Sequence, residues 1–153
     1  MSSQNDKLLI AGGVATLLAL GYLIYSSNSD KAAEPTKKTL YDRLGGEPAI
    51  QATIDIAIPS LREDPLLAHF FTKMPLEYHK RMQFKFFTTA LGGPKLYDGK
   101  SMKEAHQGLG IQKKHFDCVV SHVVKALQQL KVPADLINEV GVALAPLEAD
   151  CIS

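Results

Sequence analysis

From residue 39 onward the apolar positions return every three or four residues, and no convincing strand alternation interrupts them. Ile50, Ile54, Ala57, Ile58 and Leu61 share one face of a first predicted helix. Pro59 sits inside that pattern, where it should kink the helix or loosen a turn. The stretch from Leu76 to Leu91 predicts a second helix, with His79, Gln83, Phe86, Phe87 and Ala90 on one broad face. The clearest helix is expected over Lys114 to Leu130, where Phe116, Val119, Val120, Val123, Leu127 and Leu130 step by three or four. The last opens at Pro133, a good first helical residue. It buries Leu136, Ile137, Val140, Leu144 and Leu147, and Pro146 should disturb its end.

Glycine-rich connectors separate these helices at Leu44-Gly45-Gly46, Leu91-Gly92-Gly93-Pro94 and Gly108-Leu109-Gly110. A glycine pair permits positive φ and a sharp exit from a helix. The pattern is that of an all-α domain with tight joints. It is not a regular four-helix bundle, because residues 94 to 113 are too broken, and that segment has room for chemistry.

Ahead of this domain the pattern changes completely. Residues 8 to 25, LLIAGGVATLLALGYLIY, carry no charge. As a helix they would span about 27 Å, just short of a hydrocarbon core of roughly 30 Å. Lys7 can snorkel, and Tyr22 or Tyr25 can sit at the interface. The competing reading is a cleaved secretory signal. Its lead here, residues 1 to 7, is only weakly basic and no clean A-x-A site follows, although Ser26 to Ser29 are small enough to be cut near. An uncleaved, single-pass transmembrane helix is the expectation. Lys31, Lys37, Lys38 and Arg43 follow the segment, so the positive-inside rule puts the carboxyl-terminal domain in the cytoplasm. Residues 26 to 38 are polar, contain Pro35 and read as a linker. The folded domain is therefore expected over residues 39 to 153.

Composition narrows the function classes. Lys+Arg 17 against Asp+Glu 16 leaves a net charge of +1, which gives no field to attract nucleic acid. A mean hydropathy of -0.02 resembles an ordinary soluble chain only because it averages two unlike parts. Two cysteines exclude a disulfide scaffold. Cys118 lies within a predicted helix and reads as a small buried hydrophobe, and Cys151 as a free thiol near the tail. Neither has a partner at zinc-finger spacing. No G-x-S-x-G, phosphate loop, H-E-x-x-H or dinucleotide fingerprint supports a hydrolase or nucleotide reading.

Candidate chemistry centres on SMKEAHQGLG. Ser101 and Glu104 have capping-box spacing, so a short helix should open at Met102 and end by Gly108. His106 falls near its carboxyl end, on the face of Met102 and Leu109. Such a lone histidine is more often structural than a ligand, yet a short, glycine-hinged helix suits a ligand aimed at a bulky cofactor. His79 and Gln83 are four apart and so share a helix face. Flanked by Phe84, Phe86 and Phe87 they can serve an apolar pocket; among Lys80, Arg81 and Lys85 they can equally face solvent, and spacing alone favours solvent. His69 should be partly exposed at a corner, and His115 should face water.

Taken in order, these residues resemble the truncated haemoglobins, group I most closely. The likeness begins at Leu40-Tyr41-Asp42-Arg43-Leu44-Gly45-Gly46 and passes through Asp64-Pro65 and His69-Phe70-Phe71. It continues in Gln83, Phe86-Phe87, Ala90-Leu91-Gly92-Gly93-Pro94, Tyr97-x-Gly99 and Met102-x-x-Ala105-His106-Gln107-Gly108. His115-Phe116, His122, Val132-Pro133 and Ala145-Pro146-Leu147 complete it. The resemblance implies a two-over-two α-helical sandwich around haem b, with His106 as proximal iron ligand and Phe71 packed on the haem face. It implies His79 and Gln83 as distal residues, with Phe86 and Met102 in the pocket wall. Its implied function is reversible binding of O2 and of other diatomic gases such as NO and CO. NO dioxygenation with a separate reductase, or gas and redox sensing at a membrane, are the alternatives. One departure stands out: Ile58 occupies the place where many group I members carry a distal Tyr, and Ala57 that of a usual Phe. His79 is then left either to donate to the bound gas or to bind the iron itself.

Overall fold

A computed structural model describes residues 37–153, and a single compact unit covers Lys38–Ser153. The expected flank, transmembrane span and all but the last two residues of the linker lie outside the described residues. Among the described residues no helix is long and apolar enough to cross a membrane.

Seven α-helices carry the unit: α1 (Leu40–Leu44), α2 (Glu47–Glu63), α3 (Leu76–Ala90), α4 (Met102–His106), α5 (Lys113–Gln129), α6 (Ala134–Leu144) and α7 (Glu148–Cys151). Two 3-10 turns, Ala68–Phe71 and Ala145–Leu147, lie before α3 and between α6 and α7. Helix α2 packs on α3 and on α5, and α5 packs on α6. The pair α2/α3 thus lies against the pair α5/α6, a two-over-two arrangement in which the short α1, α4 and α7 fill the edges. No strand forms among the described residues.

The three-to-four spacing read along the chain becomes the core. Ile50, Ile54, Ala57, Ile58 and Leu61 of α2 meet Phe87 and Leu91, Val123 and Leu127 of α5, and Ile137, Val140 and Leu144 of α6. Each fully buried aliphatic side chain contributes roughly 1.5–3 kcal/mol relative to exposure. Ala90, expected on the inner face of α3, is instead exposed. Helix α2 continues without a break through Pro59, so the proline does not end it. Pro133 is the cap before α6, with an extended ψ of 144°, rather than its first residue. Pro146 falls where α6 gives way to the second 3-10 turn, as its fixed φ and missing N–H require.

The joints position the rest. Gly45 ends α1 with φ 114°, a left-handed cap that glycine adopts without strain. Gly93 lies against Tyr41: a Cβ there would stand 2.8 Å from two ring carbons. The amino-terminal end of the unit is thereby clipped to the end of α3, with Tyr41 N–H donating to the Leu91 carbonyl at 2.8 Å. Arg43 adds a two-bonded ion pair to Glu139 of α6, at 2.6 and 2.7 Å.

Candidate functional site

Helix α4 is only five residues long, and its amino end is stabilised from both directions. Ser101 Oγ accepts from the Glu104 N–H at 3.2 Å, while the Ser101 N–H donates to Glu104 Oε2 at 3.0 Å. The side-chain and backbone hydrogen bonds from Ser101 hold the Glu104 carboxyl below its usual range. The helix is thus fixed at its start, and His106 is its last residue, with the Gln107 N–H closing the turn onto the Lys103 carbonyl at 2.9 Å.

The His106 ring is oriented by its own helix. Nδ1 lies 2.6 Å from the Met102 carbonyl oxygen. A carbonyl only accepts, so Nδ1 carries the proton and donates it. Nε2 is left with its lone pair, the form in which a histidine binds a metal; a second-shell bond of this kind fixes both tautomer and ring direction.

His106 borders a cavity of about 740 Å³, within the range of roughly 300–1,000 Å³ usual for cofactor and ligand sites. Phe71, His79, Gln83, Phe86 and Met102 border the same cavity. All six residues singled out in the sequence are brought together. The remainder of the wall is mainly aliphatic and aromatic, with Val119, Val120 and Val123 from α5 and Leu144 from α6.

His79 corrects the solvent-facing reading: it is 4% exposed, and both it and Gln83 turn toward the cavity. The charged neighbours Lys80 and Arg81 do not draw it outward. Its ring stacks on Phe71 with centroids 4.6 Å apart and planes at 27°. Its Nδ1 is buried without a hydrogen-bond partner. Burial pushes its pKa down to about 4, with the Arg62 charge adding to the effect. Arg62 in turn lies 5.9 Å from the Phe71 ring centroid and donates to the Phe71 carbonyl at 3.4 Å. An unsatisfied buried nitrogen is costly, and burial of this kind favours the neutral ring.

His115 is a second correction. Expected in water, it is 8% exposed and borders the cavity. It shares the cavity with His106 but not its chemistry. Its Nδ1 accepts the Gln112 N–H at 2.9 Å, which puts the proton of the neutral ring on Nε2. His115 is therefore not presented as a metal ligand. Its ring sits edge-on to Phe70, 5.0 Å away, beside the exposed His69. Cys151, read as a tail thiol, is buried and also borders the cavity, and it is free. Both stand at helical spacing from apolar positions, His115 four before Val119 and Cys151 four after Leu147; the lysines before His115 and the break at Pro146 hid that continuity. Ile58, by contrast, is 2% exposed within the core cluster and borders no part of the cavity. The first long helix therefore offers the pocket no hydroxyl.

Residues 39–152 match the bacterial-like globin family. The group 1 truncated haemoglobin of Tetrahymena pyriformis is 33% identical over 115 residues, covering 75% of this chain and 95% of that protein. This chain belongs to the group 1 truncated haemoglobins. The member from Mycolicibacterium paratuberculosis is 38% identical over 117 residues, 76% of this chain and 85% of that protein. The crystal structure of the Tetrahymena pyriformis truncated haemoglobin in its Fe(III) form superposes with a TM-score of 0.74, covering 76% of this chain and 99% of that one. The 2/2 haemoglobin of Synechococcus sp., solved in the cyanomet state with covalently attached haem, gives 0.71 at 30% identity, over 75% and 98% of the two chains. The cofactor of this truncated haemoglobin is haem b. The cavity fits it on its own evidence, with one histidine lone pair, a second, neutral histidine stacked on Phe71 and a wall of apolar side chains.

Proposed function

We propose that this truncated haemoglobin binds O2 reversibly at a haem whose iron is held by His106, in a domain tethered to a membrane by residues 8–25. His106 would hold the haem through Nε2, and the haem would supply an iron able to bind a diatomic gas such as O2, NO or CO. The single observation that carries this reading is the His106 geometry, in which the Met102 carbonyl holds the Nδ1 proton and leaves Nε2 free. Phe71, Phe86 and Met102 keep water from the pocket. His79 and Gln83 supply the polar atoms on α3, and His79 takes the donor role that Ile58 cannot fill. Lys100, the one Lys or Arg among the lining residues, offers a cation at the rim for the acidic edge of the cofactor.

The test is the ferrous absorption spectrum of the full chain, with and without O2. An open iron gives a five-coordinate spectrum that changes on oxygenation; a six-coordinate spectrum that His79→Leu converts to five-coordinate shows His79 on the iron instead. NO dioxygenation is separated from simple carriage by mixing the oxygenated protein with NO: fast oxidation with stoichiometric nitrate supports it, and a separate reductase is then required.

Membrane attachment rests on the uncharged run of residues 8–25, and the cytoplasmic side on Lys31, Lys37, Lys38 and Arg43 after it. Extraction of membranes with alkaline carbonate checks the first, since an integral protein stays in the pellet. Protease protection of the globin domain in intact cells checks the second.

A further inference from the structure

Far along the chain from α4, at the carboxyl end of α2, three side chains of different chemistry converge. Asp64 Oδ2 lies 2.9 Å from His122 Nε2 and 3.4 Å from Cys118 Sγ. The three atoms lie within 4.8 Å of one another, and none of the three residues borders the haem cavity. Cys118 and His122 are four apart on α5, so one helix face presents both. Asp64 caps the end of α2, which packs on α5. Among the described residues this is the one cluster of its kind.

We propose that Asp64, Cys118 and His122 form a second metal site, binding a borderline-soft divalent cation of the Zn2+ class through Oδ2, Sγ and Nε2. The donor set points to that class. A thiolate disfavours Mg2+ and Ca2+, whereas one sulfur, one imidazole and one carboxylate suit Zn2+. Three protein ligands leave a fourth tetrahedral position for water.

The atoms that would not bind metal are already tied off. Ser60 Oγ is 2.8 Å from His122 Nδ1, and the Leu66 N–H donates to Asp64 Oδ1 at 2.9 Å. Two of the three ligands, His122 and Asp64, are thus oriented by an outer partner, as metal-binding histidines and carboxylates generally are. Without metal, the Cys118 thiol and the His122 Nε2–H both donate to Asp64. With metal, the thiol proton is released to solvent. The imidazole proton moves to Nδ1, where Ser60 Oγ accepts it. The exchange is of a cation for one proton, and no electron is transferred.

Full-length, haem-loaded protein titrated with ZnCl2 by calorimetry tests the site, with His106 occupied so that it does not compete. The expected result is one saturable Zn2+ per chain, lost in Cys118→Ala and retained in Cys151→Ala. Ser60→Ala should weaken binding by about 10–100-fold, as expected for an outer partner. Bound Zn2+ should raise Tm in the parent protein and not in Cys118→Ala. Absence of saturable binding in the parent, or equal affinity in folded Cys118→Ala with its haem spectrum intact, overturns the proposal.

Discussion

The cavity has two histidines of functional interest, and their supports differ in kind. His106 is held by a backbone carbonyl within its own helix, and that helix is fixed by a capping box. His79 is held by packing: a stacked Phe71 and surrounding burial, with no hydrogen bond to Nδ1. The first arrangement commits the ring to one tautomer and one direction. The second fixes the ring plane by stacking and assigns no tautomer through a hydrogen bond to Nδ1. A metal ligand needs the former, and a residue that must respond to an incoming gas needs the latter.

The largest effect should come from breaking the His106 side. His106→Gly removes the imidazole proposed to hold the iron, and we expect loss of the normal Soret band of the reconstituted protein. Added imidazole should restore it, because the cavity is kept and only the ligand is missing. A variant with unchanged haem retention and spectrum, without imidazole, would show that another residue holds the iron.

On the His79 side the contrast predicts acid sensitivity. The folded protein depresses this histidine to about 4 from the ordinary 6.5. Between those values the unfolded chain binds the proton and the folded chain does not, so stability falls as pH drops from 6.5 toward 4. The contribution is on the order of 3 kcal/mol at most. His79→Leu should flatten that part of a Tm-against-pH curve; an unchanged slope would assign the acid sensitivity elsewhere. The same substitution should speed O2 release by about tenfold, the scale of one lost hydrogen bond. Flash photolysis and oxygen-replacement kinetics measure it, and an unaltered rate would take the donor role from His79.

Smallest is the loss of the cap. Ser101→Ala removes the Oγ that accepts from the Glu104 N–H, while the backbone bond from residue 101 to Glu104 Oε2 remains, and should cost about 1 kcal/mol. Its signature should be faster haem transfer to an acceptor protein with little change in the gas kinetics. Equal effects on both would mean that the two histidines are mechanically coupled through the fold.

The long helices were legible because their apolar residues recur every three or four positions, and that spacing is local. So was the cap of α4, whose Ser101 and Glu104 are three apart. The burial of His79 was not legible, because Lys80 and Arg81 beside it read as a solvated face, and only the packing of Phe71 decides otherwise. His115 misled for the same reason: Lys113 and Lys114 precede it, yet its ring turns inward. Asp64 and Cys118 are 54 residues apart, and no periodicity couples an aspartate at one helix end to a thiol on another. Pro59 stands inside a helix that runs unbroken from Glu47 to Glu63, packed on both α3 and α5.

The last residues of the chain have a practical side. The Ser153 N–H donates to the Ile111 carbonyl at 3.2 Å, and both Ile111 and Cys151 border the haem cavity. Helix α7 also packs on α4, the helix of His106. Affinity tags and fluorescent fusions joined directly at residue 153 are therefore expected to loosen the cavity wall at Ile111 and Cys151. A reporter placed there should come with a spacer, and trimming the chain back past Cys151 is an engineering handle on haem retention rather than a neutral tidying of an end.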